Sequence, residues 1–374
     1  MLGPEAFQHE KKIVHLLGTR GVPAQHGGFE SCVARLAPFL VTKGWEVYVY
    51  CQEDGDAPIR TDKWFGVTRV IIPVIGGGTF STIKFDWLAI NYALRLEGLL
   101  LSFGYPTGVF SLLAGYKKRV HMINMDGIEW KRSQFGMFGK VAYYINERFA
   151  AEFADHLIAD HPSIEDHLST RVKRQKITMI AYGADELTTN DTGPLDFGLD
   201  RKSYALVIAR PEPDNSILEI VKAFSAKRRP VDLVVLGKYT PTRKYHKKVL
   251  DAASEQVIFP GVVYEPDRVL RLRANALFYI HGHRVGGTNP SLVEALGAGS
   301  PIIAHDNEFN KWVAADAAVY FRSESDLSAA VDSLTKDTHL LGSLQKRART
   351  RWEADFKWEK ILNAYDALLG RYAS

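Results

Sequence analysis

One pattern is written twice along this chain: a short apolar run, a polar loop, then a segment with apolar residues at helical spacing. In the first half the runs are KIVHLLG (12–18), WEVYVYC (45–51), VTRVIIPV (67–74), GLLLSFG (98–104), RVHMINM (119–125), DHLIAD (155–160) and KITMIAYGAD (176–185). Helical spacing marks FESCVARLAPFLVTKG (29–44) and the segments 80–96 and 138–154 between them. Strands that alternate with helices predict a parallel sheet covered on both faces. The tract 190–203 is polar, contains Gly and Pro and has no period, which predicts a linker. The pattern then restarts with YALVIA (204–209), a helix SILEIVKAFSAK (216–227), VDLVVLG (231–237), a helix around 243–253 and QVIFPG (256–261). A short helix, ALFYI (276–280), another loop and helix, and PIIAHD (301–306) complete it. Residues 340–372 read as a final amphipathic helix anchored by Trp352, Phe356, Trp358, Leu362 and Tyr365. The expectation is therefore α/β, with domains over 1–190 and 191–350 and a terminal helix over 351–374.

The chain has 374 residues, enough for two domains, and 46% of them are apolar. No apolar run is long enough to span a bilayer. The start, MLGPEAFQHEKK, lacks the apolar centre of a secretory signal. Two cysteines, Cys32 and Cys51, imply neither a disulfide framework nor a zinc site, and a cytoplasmic location is expected. The net charge of +4 is mild, and no recognition module or basic stripe points to nucleic acid. Basic clusters such as Lys117-Lys118-Arg119 read as solvated faces, or as attraction to an anionic membrane surface.

In parallel sheets the ligand crevice lies beyond the carboxyl ends of the strands, so function is sought in the loops there. Three loops stand out. After the first strand, GTRGVPAQHGGFES (18–31) places Gly27 and Gly28 at a helix start, where free N–H groups favour an anion. The G-x-G-x-x-G dinucleotide fingerprint is absent. After YALVIA, Arg210 follows a strand end and Asn215 stands at a helix mouth, where it reads as a cap. A guanidinium suits bidentate phosphate contact. Third, HGHRVGGTNPSLVEAL (281–296) puts Gly286, Gly287, Thr288 and Asn289 before Pro290, a first-turn proline, with Ser291 and Glu294 on the helix. His281 and His283 flank that loop and are expected, with Asn215 and the loop residues, to contact the sugar or phosphate of a donor. Together these loops suit a diphosphate.

The segments GTRGVPAQHGGFE, NMDGIEWKR and GGTNPSLVEAL resemble the retaining glycosyltransferases of family 4, and within them the bacterial polysaccharide rhamnosyltransferases. The likeness runs over almost the whole chain. It implies the GT-B fold: two Rossmann-like domains facing across a cleft, with the terminal helix crossing back to the first. Gly27-Gly28-Phe29-Glu30 matches the family's GG-x-E element, Arg210 its phosphate-binding Arg, and Glu294 the second Glu of E-x7-E, which holds the ribose. The first Glu of that element falls at Gly286, the family's Lys falls near Asn215, and its strand-end His is replaced by Asp126.

The resemblance implies a nucleotide-sugar donor, dTDP-L-rhamnose first and a UDP-hexose or GDP-mannose second, with the base near Val262, Val263 and Tyr264. It implies retention of configuration, no metal and no other cofactor. Asp126, Arg210 and Glu294 are the expected catalytic groups; Asp126, Lys131 and Arg132 are expected at the acceptor. A saccharide acceptor carried on a lipid would bring the protein to the inner face of the plasma membrane, touching it between Tyr116 and Phe138. Other classes remain open: a sugar-nucleotide epimerase, an NAD-dependent oxidoreductase, or a carbohydrate-binding protein without turnover.

Overall fold

A computed structural model describes residues 12–24, 27–133, 135–187 and 196–373. The first residues of the chain, the boundary at 190/191 and the opening of the 190–203 linker lie outside the described residues. Two sheets form. The first holds β1 (Ile13–Leu17), β2 (Glu46–Glu53), β3 (Arg60–Trp64), β4 (Val67–Pro73), β5 (Leu99–Phe103), β6 (His121–Asn124), β7 (His156–Ala159) and β8 (Ile177–Met179). Their order is β3-β4-β2-β1-β5-β6-β7-β8. The second holds β9 (Tyr204–Ile208), β10 (Asp232–Leu236), β11 (Val257–Gly261), β12 (Phe278–His281), β13 (Ile302–His305) and β14 (Ala318–Phe321), in the order β11-β10-β9-β12-β13-β14. Every pairing is parallel except β3 with β4.

The apolar runs explain the centre of each sheet. Val14 lies opposite Val47 on one side and Leu99 on the other, and Leu206 lies opposite Val234 and Tyr279. All six side chains are buried. The strand order reverses between β1 and β5 and between β9 and β12, so both sheets place a switch point at the end of a glycine- or arginine-bearing loop.

The helices α1 (Gly28–Thr42), α2 (Gly78–Ala93), α3 (Ser111–Tyr116), α4 (Met137–Phe153) and α5 (Pro162–Ser169) cover the first sheet. The second carries α6 (Ile217–Ser225), α7 (Lys244–Asp251), α8 (Pro266–Asn275), α9 (Pro290–Gly297), α10 (Glu308–Ala314) and α11 (Glu324–Lys336). Among the described residues no helix is long and apolar enough to cross a membrane.

Three departures from the sequence reading have physical causes. The edge strand β3, RTDKW, has no apolar alternation because it is almost wholly exposed; its antiparallel ladder with β4 holds it, and ion pairs join it to its neighbours, Arg69 to Asp62 at 2.5 Å and Arg60 to Glu53 at 2.7 Å. The run 176–185 forms a strand only over Ile177–Met179; beyond it the chain leaves the sheet for the other domain. The terminal segment is two helices, α12 (Thr338–Asp355) and α13 (Trp358–Gly370), broken at Phe356-Lys357. At that break the chain crosses back, and Phe356 O accepts the N–H of Ala184 at 2.8 Å.

The outgoing and returning crossings pin each other. Trp352 Nε1 donates to Ala184 O at 2.9 Å, and the rings of Tyr182 and Trp358 meet edge to face at 5.0 Å. A side chain at Gly183 would stand 2.6 Å from the Trp358 ring, so glycine is required there. Beyond the crossing, α13 packs on the first domain: Asn124 Nδ2 donates to the buried Tyr365 hydroxyl at 2.8 Å, and Trp45 Nε1 donates to Asp366 at 2.7 Å.

Tyr365→Ala is expected to cost about 4 kcal/mol through the cavity and the stranded Asn124 amide. Tyr365→Phe, which keeps the ring, is expected to cost about 1 kcal/mol. Thermal unfolding of the two variants checks this; equal, small losses would show that the strap does not brace the first domain.

Candidate active site

The site lies where the strand ends of the two sheets face each other. Its larger chamber, about 1540 Å³, is lined by Gly27, Gly28 and Tyr182 from the first domain. From the second come Arg210, Lys238, Val262, Val263, Tyr264, His283, Ser291 and Glu294. A smaller chamber of about 710 Å³ shares Gly28, Tyr182, Arg210 and Pro290 with it and adds Asn124, Asp126, Asp160 and Thr288. The two chambers therefore communicate at Arg210 and the first turn of α9.

Local structure explains the positions. Gly27 has φ 106° and opens α1; a side chain there would run into the Glu30 carboxylate. Glu30 accepts the N–H of Arg20 at 3.1 Å and so ties the 18–31 loop to its helix. A Cβ on Gly28 would stand 2.8 Å from the Pro290 ring across the cleft, so this glycine allows the close approach of the domains. Pro290 starts α9, and Asn289 caps it by accepting the N–H of Ser291 at 3.0 Å.

Glu294 points into the larger chamber with 37% of its side chain exposed. Burial pushes its carboxyl pKa up, and Arg273 opposes that by donating Nη2 to it at 2.7 Å. Arg273 is itself 1% exposed and also donates to Ser291 O at 2.9 Å, so it clamps the helix turn that carries Glu294. The pair holds geometry because losing Glu294 would strand the buried Arg273 guanidinium.

In the smaller chamber two carboxyls, Asp126 and Asp160, meet, and a third, Glu129, stands within electrostatic reach of Asp126. Asp126 follows β6 in a left-handed conformation, φ 51°, with its N–H donated to Asn124 Oδ1 at 3.1 Å. Asp160, at the end of β7, accepts the Thr288 N–H at 2.8 Å, and the Thr288 hydroxyl donates to Asp160 O. A methyl at Gly287 would collide with the Asp160 carboxylate. Burial and the neighbouring Asp126 push Asp160 up to about 7 against that hydrogen bond. Glu129 is pushed up to about 7 by burial and Asp126, opposed by Arg132, which donates to it at 2.6 Å. Such a cluster can hold or accept a proton beside a bound hydroxyl.

The expected residues divide by position. Gly27, Gly28, Arg210, Val263, Tyr264, His283, Ser291 and Glu294 line the larger chamber; Asp126 and Thr288 line the smaller. Asn215 is not a helix cap: its amide donates to Arg210 O at 2.8 Å, bracing the loop from behind. His281 does not reach the cleft. It is fully buried and stacks on His283 at 4.3 Å, and burial pushes both imidazoles well down, to about 3 for His283. Asn289 spends its side-chain oxygen on the cap, and Gly287 is covered by Asp160. Gly286 lies outside the larger chamber and lines a third space of about 790 Å³ that it shares with Lys131 and Arg132. Asp126 thus stands in one chamber while Lys131 and Arg132 line another. The sequence reading missed Asp160, Lys238 and Arg273. Asp160 and Lys238 end strand runs, as Arg210 does, and were open to the same rule; Arg273, inside a helix, carried no such signal.

Residues 197–351 match the model for glycosyl transferases group 1. Over that stretch the chain is similar to glycosyltransferases, and its two facing sheets form the GT-B fold. Residues 11–185 match a domain of unknown function, DUF1972. No curated protein matches at the sequence level. Among solved structures, sucrose-phosphate synthase from Thermosynechococcus elongatus is similar at 17% identity and TM-score 0.80, over 97% of this chain and 99% of that one. Anabaena HepE in complex with UDP is similar at 13% identity and TM-score 0.72, over 96% and 100%. WaaG, a glycosyltransferase involved in lipopolysaccharide biosynthesis, is similar at 16% identity and TM-score 0.69, over 95% and 99%. These likenesses are of fold.

Asp160→Asn keeps an acceptor for Thr288 and removes the titration. With the folded pKa near 7 and above the ordinary 3.8, the stability Asp160 contributes is full at acid pH and is lost as pH rises through about 7. The melting temperature of the native chain is expected to fall relative to the variant between about pH 4 and about pH 8. Parallel curves would mean that Asp160 ionises like an ordinary carboxyl.

Proposed function

We propose that this protein is a retaining, metal-independent glycosyltransferase that moves a sugar from a nucleoside diphosphate to a saccharide acceptor, with Arg210, Glu294 and Asp126 as its central residues. The observation that carries the reading is the chamber joining Arg210, Lys238, Glu294 and the start of α9 to Asp126 across the domains. In transfer, the bond from the sugar C1 to the leaving phosphate oxygen breaks and a bond from the acceptor oxygen to C1 forms. Negative charge grows on the diphosphate. Arg210 and Lys238, standing at adjacent strand ends, stabilise it in place of a metal. Glu294, steadied by Arg273, accepts from the ribose hydroxyls. Val262, Val263 and Tyr264 offer the base an apolar and aromatic wall. The acceptor proton passes to the leaving phosphate on the same face, or to Asp126. Closure around Gly28 and Pro290 excludes water, which limits donor hydrolysis.

The resemblance to family 4 rhamnosyltransferases supports dTDP-L-rhamnose as donor, a lipid-linked saccharide as acceptor, and a place in bacterial surface polysaccharide synthesis at the inner face of the plasma membrane. A UDP-hexose is the second reading, favoured by the fold neighbours solved with UDP and glucose and with UDP-2-fluoro glucose.

Thermal shift with dTDP, UDP, GDP and NAD, in the presence of chelator, tests the reading. A ligand at 100-fold its Kd stabilises by about 2.7 kcal/mol. One diphosphate is expected to give that shift without metal, and Arg210→Ala to abolish most of it. The same substitution is expected to lower transfer by about 10²–10³-fold. A shift with NAD alone would replace this reading by an oxidoreductase.

A further inference from the structure

Outside the cleft, the first domain shows a face that a protein surrounded only by water does not need. On α4, Met137, Phe138, Val141, Tyr144 and Ile145 are all exposed, Phe138 by 93% and Met137 by 79%. Their spacing puts them on one side of the helix. On α2, Phe80, Ile83 and Trp87 follow the same rule, with Phe80 exposed by 84%. Val109, Leu112 and Tyr116 repeat it along the turn and helix that end at Tyr116, which is 83% exposed.

These three elements are neighbours. The rings of Trp87 and Phe110 meet at 5.5 Å, Thr107 donates to Asp86 at 2.8 Å, and the Val109 N–H donates to Asn146 on α4 at 3.0 Å. The exposed side chains therefore belong to one face. Single exposed apolar residues are ordinary; a run of them across three packed elements marks a docking surface.

Charge identifies what docks. Over 78–93, 107–119 and 137–153 the exposed charged residues are Lys84, Lys117, Lys118, Arg148 and, alone among acids, Glu152. Asp86 is bonded to Thr107, and Glu147 is buried against Trp130, His167 and Arg171. Arg119 donates to Gly98 O at 2.6 Å, and Lys140 is half-buried. A second copy docked through a twofold axis would bring this basic rim against itself. An anionic bilayer instead takes the aromatic side chains into its headgroup region and pairs the lysines with phosphate.

We infer that the α2–α3–α4 face is a membrane-docking surface for anionic lipid bilayers, seating the first domain on the membrane with the interdomain cleft beside it. The inference deepens the reading of the acceptor as lipid-linked. It is tested without donor or acceptor, so either can fail alone.

The experiment is flotation of the full chain with vesicles of phosphatidylcholine alone and with phosphatidylglycerol added. Binding to the anionic vesicles is expected, weaker at high salt and much weaker to phosphatidylcholine. Lys117→Glu/Lys118→Glu and Met137→Ser/Phe138→Ser are each expected to lower binding at least about tenfold, with unchanged melting temperatures. The absence of binding to anionic vesicles, or equal binding by both variants and the native chain, would overturn the proposal. So would a dimer in sedimentation that dissociates in the Met137→Ser/Phe138→Ser variant while vesicles are not bound.

Discussion

The cleft exists because the chain crosses between its two sheets twice at one place. The outgoing crossing, 181–187, and the returning one, at Phe356 and Trp358, are bonded to each other through Ala184, Trp352 and Phe356. That contact fixes how the strand ends of one domain face those of the other. The terminal helix then extends the grip to Trp45 and Asn124 deep in the first domain. Arg210, Glu294 and Asp126 lie far apart in sequence and share a site only because this crossing aligns their sheets.

Electrostatics at the seam adds a second level. Asp160 reaches from the first domain to the Thr288 N–H, on the loop that precedes α9. An N–H at a helix start is a natural partner for phosphate, and here a carboxylate of the other domain holds it. The same carboxylate packs on Gly287, so the glycine serves the meeting of the domains. Asp126 raises the electrostatic cost of ionising Asp160 and Glu129, Arg132 offsets it at both, and Arg210 at Glu129.

Much of this was readable from strand ends. Apolar runs that stop at Gly or a charged residue located the loops at Gly27, Arg210 and Gly286, and the structure brings Gly27, Arg210 and Glu294 to one chamber. The rule failed where a residue's neighbour in space is remote in sequence. His281 looked equivalent to His283, yet His281 ends the buried strand β12, whereas His283 lies beyond the strand end and lines the cleft. Asn215 looked like a cap, but the left-handed Ser216 opens α6 and leaves Asn215 to brace Arg210. The polar edge strand β3 was invisible because it is exposed and held by its backbone ladder with β4, which leaves no apolar alternation in the sequence.

The sequence by itself determined two parallel α/β sheets and which loops stand at their carboxyl ends, because strand and helix periods are local properties of the chain. Only the tertiary structure decided which loop residues share a chamber, that Arg273 clamps Glu294, that Asp160 crosses to Thr288, and that the last helix breaks at Phe356. Each of these depends on contacts between segments from several turns to well over a hundred residues apart, where packing and burial, not local pattern, set the outcome. The apolar face of α2, α3 and α4 belongs to both. Its residues are plain in the sequence, but that they are left uncovered is a fact of the fold.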